Sequence, residues 1–125
     1  MSDSLYSPVR LGDLDLANRV VMAPMTRDRA GPQDEPTDIM VEYYRQRASA
    51  GLIVTEGVQP SPAGKGYWRT PGIHSEVQTA GWKKVNDAVT ARGGPRQRGR
   101  HSTPRGAAPS CACRPRGIHR RSTCI

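Results

Sequence analysis

The chain has 125 residues and a formal net charge of +8 at pH 7, a length that suits one modest domain. The charge is unevenly placed: residues 1–94 carry 11 Lys+Arg against 11 Asp+Glu, whereas residues 95–125 carry 8 Arg, no Lys and no acid. A polyanion partner can therefore be argued only for the C-terminal stretch. All three cysteines (Cys111, Cys113, Cys124) lie there too, which excludes disulfides within residues 1–94.

The opening segment has no positively charged start followed by an apolar core, so it does not read as a secretory signal. No apolar run approaches the length that spans a bilayer. No membrane partner is expected, and the cytoplasm is the expected compartment. Val9 to Leu16 alternates apolar and polar residues around Gly12-Asp13, which predicts a two-stranded hairpin with a tight turn. Arg19 to Met25 is a continuous apolar run with a β-branched start, predicting a buried strand ended near Pro24. Thr26 to Pro36, with Gly31-Pro32, reads as a loop.

Thr37 is placed as the N-cap of a helix over Asp38–Ala50, with Gly51 as its C-cap. Ile39, Met40, Tyr43 and Tyr44 give that helix an apolar face, with Arg47 at the edge. Leu52 to Gly57 predicts a second buried strand, and Gln59 to Gly72 a loop. Ser75 and Gln78 have capping-box spacing. The helix behind them places Trp82, Val85, Ala88 and Val89 on one side and stops at Gly93-Gly94. Apolar strands alternating with amphipathic helices predict an α/β fold of parallel βα units. A third strand should follow Gly94, yet Pro95 and arginines follow instead.

Several segments resemble the N-terminal part of the Old Yellow Enzyme family, the FMN-dependent ene-reductases and NADH:flavin oxidoreductases. They are LANRVVMAPMTR (Leu16 to Arg27), YYRQRA (Tyr43 to Ala48), GLIVTEG (Gly51 to Gly57), SPAGKGYWRTPGIHS (Ser61 to Ser75) and GWKKVNDAVTARGG (Gly81 to Gly94). The resemblance covers residues from about 5 to 94. It implies the first βα units of a (β/α)8 TIM barrel, truncated, whose site lies at the C-terminal ends of the strands. It implies FMN as cofactor, NAD(P)H as reductant and a small activated alkene as substrate.

On that resemblance Pro24, Met25 and Thr26 line the flavin, with Thr26 donating to the O4 region and so tuning how readily the ring takes electrons. Gly57 lets the backbone approach the ring closely. The family's other functional groups lie beyond its third strand: a glutamine on the flavin pyrimidine, a His/His or His/Asn substrate anchor, a proton-donating tyrosine and the phosphate-binding loops. None can be placed here, so no catalytic residue is assigned. Two strands cannot close a barrel, so strand edges are expected to stay exposed. The truncated chain is expected to be weakly stable, with little or no FMN binding and no turnover. Glu56 receives no acid–base role, and His74 reads as a surface or capping residue. Tyr43, Tyr44 and Trp82 read as packing residues. Trp68, in a long loop, suits surface packing or the fringe of a site.

Residues 95–125 contain no Leu, Val, Met or aromatic side chain, so they cannot bury enough apolar area to offset chain entropy and are expected to be disordered. Cys111, Cys113, His119 and Cys124 could in principle ligate zinc, but their spacing is not a usual pattern, and no metal site is assigned. The arginines would bind nucleic acid weakly and without sequence preference, because no aromatic residue is interleaved to stack bases. A non-specific nucleic-acid-binding arm on an α/β stub is thus the alternative function. The simpler reading of this Arg/Pro/Gly/Ser/Cys composition is a GC-rich gene read out of frame from about Gly94.

Overall fold

The computed structural model describes residues 4–94 and the backbone of residues 122–124. Strands β1 (Val9–Leu11) and β2 (Leu14–Leu16) form the antiparallel hairpin, with Leu11 paired to Leu14 across a two-residue turn. Gly12 has φ +59, and nothing lies within 4 Å of where a Cβ would stand, so backbone conformation rather than space requires glycine. A glycine at the first turn position is the signature of a type II′ hairpin. Leu16 turns into the interior, while Leu11 and Leu14 stay exposed.

Strand β3 is confined to Val21–Met22, shorter than the predicted Arg19–Met25. It runs parallel to β4 (Leu52–Gly57), pairing Val21 with Leu52 and Met22 with Ile53. Asn18 fixes the entry to both strands. Its Oδ1 accepts from Val20 N at 3.0 Å and from Gly51 N at 2.8 Å, and its Nδ2 donates to Ser49 O at 2.9 Å.

Helix α1 (Asp38–Arg45) begins at the predicted Thr37, whose backbone is extended as an N-cap requires. The Thr37 hydroxyl does not cap the helix; it donates instead to Arg29 O at 2.7 Å. The helix also ends earlier than the apolar pattern predicts. Beyond Arg45 the chain tightens into three-residue turns, with Arg47 N on Tyr44 O and Ala50 N on Arg47 O, both at 3.0 Å. The Arg47 guanidinium takes the Tyr43 carbonyl at 2.7 Å, the acceptor that a continuing α-helix would have offered to the Arg47 amide. Gly51 is therefore not a C-cap but the first residue of the approach to β4.

Helix α2 (Glu76–Ala91) has both predicted ends. Ser75 Oγ accepts from Gln78 N at 3.3 Å and Gln78 Oε1 accepts from Ser75 N at 3.2 Å, completing the capping box. At the other end Gly93 has φ +80; its N–H donates to Thr90 O at 2.9 Å, and Gly94 N donates to Val89 O at 3.0 Å. These are the two bonds of a Schellman motif.

The two helices pack on each other and share one core with β4, built from Ala30, Met40, Tyr44, Ala48, Ile53, Val58, Trp82, Val85 and Val89. Trp82 Nε1 donates to Gly72 O at 3.0 Å, so the indole is buried without losing its hydrogen bond. Ser122–Cys124 form β5, antiparallel to β4, with Gly57 paired to Ser122 and Val54 to Cys124. The free edge of β4 offers unpaired backbone groups to any extended segment. The pairing corrects the expectation that this edge stays bare; the expectations for residues 95–121 and 125 lie outside the described residues. Among the described residues, no helix is long and apolar enough to cross a membrane.

Candidate functional site

The parallel register of β3 and β4 brings the ends of both strands to the same side. Carried onward, the same offset matches Thr26 with Gly57, although the ladder itself stops at Met22. The two segments are joined there by a hydrogen bond: Arg27 N donates to Glu56 Oε2 at 3.1 Å. Pro24, Met25 and Thr26 are exposed, and Gly57 is half-buried. Gly57 thus ends β4, while Pro24, Met25 and Thr26 lie on the segment that leaves β3 in the same direction, between the last ladder pair at Met22 and the Arg27–Glu56 hydrogen bond. They present an apolar pair, a hydroxyl and a residue without Cβ. That donor set suits the edge of an isoalloxazine ring, which is largely apolar with polar atoms along one side.

Behind this edge lies a buried polar cluster. Glu56 is 1% exposed and Tyr44 is fully buried. The Tyr44 hydroxyl donates to Glu56 Oε1 at 3.3 Å and accepts from Glu56 N at 3.1 Å. Burial pushes the Glu56 carboxyl above the ordinary carboxylate range, and the Asp28 charge adds to it; the Arg27 N–H and the Tyr44 hydroxyl act the other way. Burial likewise pushes the Tyr44 phenol up, so it stays neutral. Tyr44 also packs against Tyr43 edge-on at 5.3 Å and against Trp82 at 5.9 Å between ring centroids. Tyr43 carries the Arg47 guanidinium 3.8 Å above its ring centroid.

The loops that follow the two strands are sewn together. Ala30 N donates to Arg69 O at 3.1 Å, and Arg69 Nε donates to Ala30 O at 3.0 Å. Gly72 N donates to Asp34 O at 2.8 Å, and Lys65 Nζ meets Asp34 Oδ1 at 2.6 Å. Asp28, Asp34 and Arg69 have φ of 53, 58 and 55, a left-handed backbone that costs a non-glycine residue about 1 kcal/mol or more. That three such residues occur in these two loops shows how firmly the cross-links hold them. Gln78 extends the network: Nε2 donates to Gln33 O at 2.9 Å, and Oε1 accepts from His74 N at 3.0 Å as well as from Ser75 N.

Sequence reasoning misses the buried pairing of Glu56 with Tyr44. One signal is present: a glutamate inside an otherwise apolar strand must find partners if it is buried. Trp68 is 78% exposed, with the Arg69 guanidinium 5.3 Å from its ring centroid. His74 lies at the start of α2, where its backbone N–H is taken by Gln78. Gln59 is buried just beyond Gly57, and its Oε1 has no hydrogen-bond partner among the described residues. Among the described residues no group of three His, Cys, Asp or Glu could hold a metal ion. The candidate set Cys111, Cys113 and His119 lies outside the described residues, as does the Cys124 side chain. A surface depression lined by Ile73, His74, Glu76 and Lys83, among others, shares no residue with the strand-end site.

Comparison with known proteins gives one consistent answer. The model of the NADH:flavin oxidoreductase / NADH oxidase family matches residues 4–96. The chain is similar to chanoclavine-I aldehyde reductase fgaOx3 of Penicillium roqueforti (strain FM164), 47% identical over 91 residues, covering 71% of this chain and 25% of that protein. Among solved structures, it is similar to morphinone reductase in complex with tetrahydroNAD, at 50% identity and a TM-score of 0.70, covering 74% of this chain and 25% of that one. It is also similar to the old yellow enzyme homologue from Zymomonas mobilis, at 47% identity and a TM-score of 0.70, covering 74% and 26% respectively. The chain thus spans about a quarter of the length of the relatives it matches.

Proposed function

Because the chain belongs to the NADH:flavin oxidoreductase / NADH oxidase family, we propose that residues 4–94 are the N-terminal portion of an FMN-dependent oxidoreductase of the Old Yellow Enzyme type. The observation that supports this reading is the parallel pairing of β3 with β4, whose onward segments, Pro24 to Thr26 and Glu56-Gly57, are tied by the Arg27–Glu56 hydrogen bond. They lie toward the end at which (β/α)8 barrels build their sites. Bound there, FMN would supply hydride chemistry, accepting from NAD(P)H and passing to an activated alkene.

In this reading Pro24 and Met25 give the ring an apolar wall. The Thr26 hydroxyl would donate to the flavin O4 region and so would stabilise negative charge there. Gly57 leaves room for the backbone to come close. Residues 4–94 would supply one edge of such a site; on this reading its substrate anchor, proton donor and phosphate cradle are not among the described residues. The 125-residue chain should therefore bind FMN only weakly, with a Kd on the order of 1 mM that a millimolar FMN titration detects, and should not turn over. Purification of the chain followed by flavin analysis and an NAD(P)H oxidation assay tests this. Stoichiometric FMN together with NADPH oxidation would overturn the claim of inactivity. FMN titrated into the labelled chain without any amide shift at Met25, Thr26 or Gly57 would overturn the flavin assignment.

A further inference from the structure

We propose that Glu56 is a positioning residue for the Pro24–Thr26 segment: its buried carboxylate, held by Tyr44 of the helical core, fixes the Arg27 N–H and through it the flavin-facing edge. The proposal rests on the flavin reading for its functional meaning, while the tether itself stands on the geometry alone. Strand β3 ends at Met22, so Pro24, Met25 and Thr26 run beyond the ladder as exposed chain. Exposed chain without ladder bonds draws less support from its own backbone than a paired strand does. The fixed point beyond it is Arg27 N on Glu56 Oε2, 3.1 Å away.

Both oxygens of that carboxylate are engaged. Oε2 takes the Arg27 N–H, and Oε1 takes the Tyr44 hydroxyl. Tyr44 is itself fully buried, packed against Tyr43 and Trp82 and bonded a second time through Glu56 N. The chain of contacts therefore runs from core ring to hydroxyl, to carboxylate, to the amide one residue past Thr26. The two groups facing the carboxylate are both donors, so an acceptor-only side chain is the one that satisfies both. A buried carboxylate is costly, and an apolar residue of similar size would fill the space more favourably if filling were its whole task. Because the Tyr44 hydroxyl can rotate to accept, glutamine can keep the Arg27 bond, whereas leucine keeps the volume and loses the acceptor.

Amide hydrogen exchange on the labelled 125-residue chain tests the tether. In the wild-type chain the Arg27 amide should be protected; exchange at the rate of a free loop amide would overturn the proposal without any variant. In E56L the Arg27 amide should exchange at least about tenfold faster while Val85 and Val89 of α2 keep their protection; in E56Q it should stay close to wild type. Equal protection in E56L and wild type would overturn it. If E56L loses α2 protection as well, Y44F decides: faster exchange at Arg27 supports the proposal, and no change overturns it. FMN-induced shifts at Thr26 that shrink in E56L and persist in E56Q support the functional role, and identical shifts in both overturn it. Absence of FMN-induced shifts in every variant overturns the flavin reading, and Arg27 exchange still decides the tether.

Discussion

Asn18 Oδ1 accepts the Gly51 N–H at 2.8 Å, and a Cβ added to Gly51 would lie 2.1 Å from the Asn18 carbonyl oxygen. One close approach thus joins the starts of the two parallel strands. Its partner atom is backbone, which cannot swing aside. Gly51→Ala should therefore destabilise the fold by about 2 kcal/mol or more, read as a lower urea midpoint at unchanged slope. Gly66→Ala is the control. Nothing lies within 4 Å of its Cβ position, so it should be neutral or slightly stabilising.

Gln78 is 2% exposed and its side chain serves three backbone groups, on Gln33, His74 and Ser75. Gln78→Ala removes the capping box and leaves those part-buried groups without their partner. The expected cost is about 2–3 kcal/mol in chemical denaturation. Thr79→Ala, one residue on, loses only an exposed hydroxyl bond to Ser75 O and should cost under about 1 kcal/mol.

These two sites also show what a sequence can and cannot reveal. Helix α2 is legible at both ends because its start and stop signals are local: Ser75 with Gln78, and Gly93 with Gly94. The β1–β2 turn is legible for the same reason. The apolar period overextends helix α1 because it runs on past Arg45, whereas the Arg47 side chain captures the Tyr43 carbonyl and ends the regular ladder. Gly51 resembles a cap in the sequence because its real constraint, the Asn18 carbonyl, is remote along the chain. The site divides in the same way. Pro24, Met25, Thr26 and Gly57 come from motif resemblance and their adjacency from parallel pairing. The Tyr44–Glu56–Arg27 cluster depends on a helix, a strand end and a loop meeting, which no local spacing encodes.

Two glutamates should give opposite pH signatures. Burial raises the Glu56 pKa in the folded state above its ordinary value of 4.5, so the native chain holds that proton more tightly than the unfolded one. The resulting stability is fully present below about 4.5 and is lost as pH rises through the folded value. Glu42, hydrogen-bonded by Arg45 and Gln46, is lowered to about 2, so its contribution is present above 4.5 and is lost as pH falls toward 2. The Glu42–Arg45 pair is solvent-exposed, so its effect should be small and salt-sensitive. Urea unfolding across pH 3 to 8, at roughly one-unit steps, should show E56Q flattening the decline toward neutral pH. E42Q should flatten only the acid limb.

The composition change after Gly94 makes a prediction about the gene. If residues 95–125 arise from a shifted frame, translating the DNA beyond codon 94 in one of the other two frames should give a buried apolar strand containing glutamine, with a histidine further on. Two frames without such a strand would refute the shift and leave the arginine-rich stretch as a genuine appendage.

The flavin assignment can be tested where the missing parts are supplied. Morphinone reductase matches this chain at 50% identity with a TM-score of 0.70, so residues 4–94 can replace the corresponding quarter of that enzyme. The chimera should bind FMN and oxidise NADH, because the matched quarter brings its own Thr26 and Gly57 to the strand ends. In the chimera Thr26→Ala should retain FMN yet slow flavin reduction about tenfold, the loss expected from one hydrogen bond that strengthens as the ring becomes reduced. Thr26→Ser keeps the hydroxyl and should restore most of that rate. A Thr26→Ala chimera with an unchanged flavin spectrum and an unchanged reduction rate would remove Thr26 from the flavin. Fold disruption would instead appear as loss of FMN in both variants.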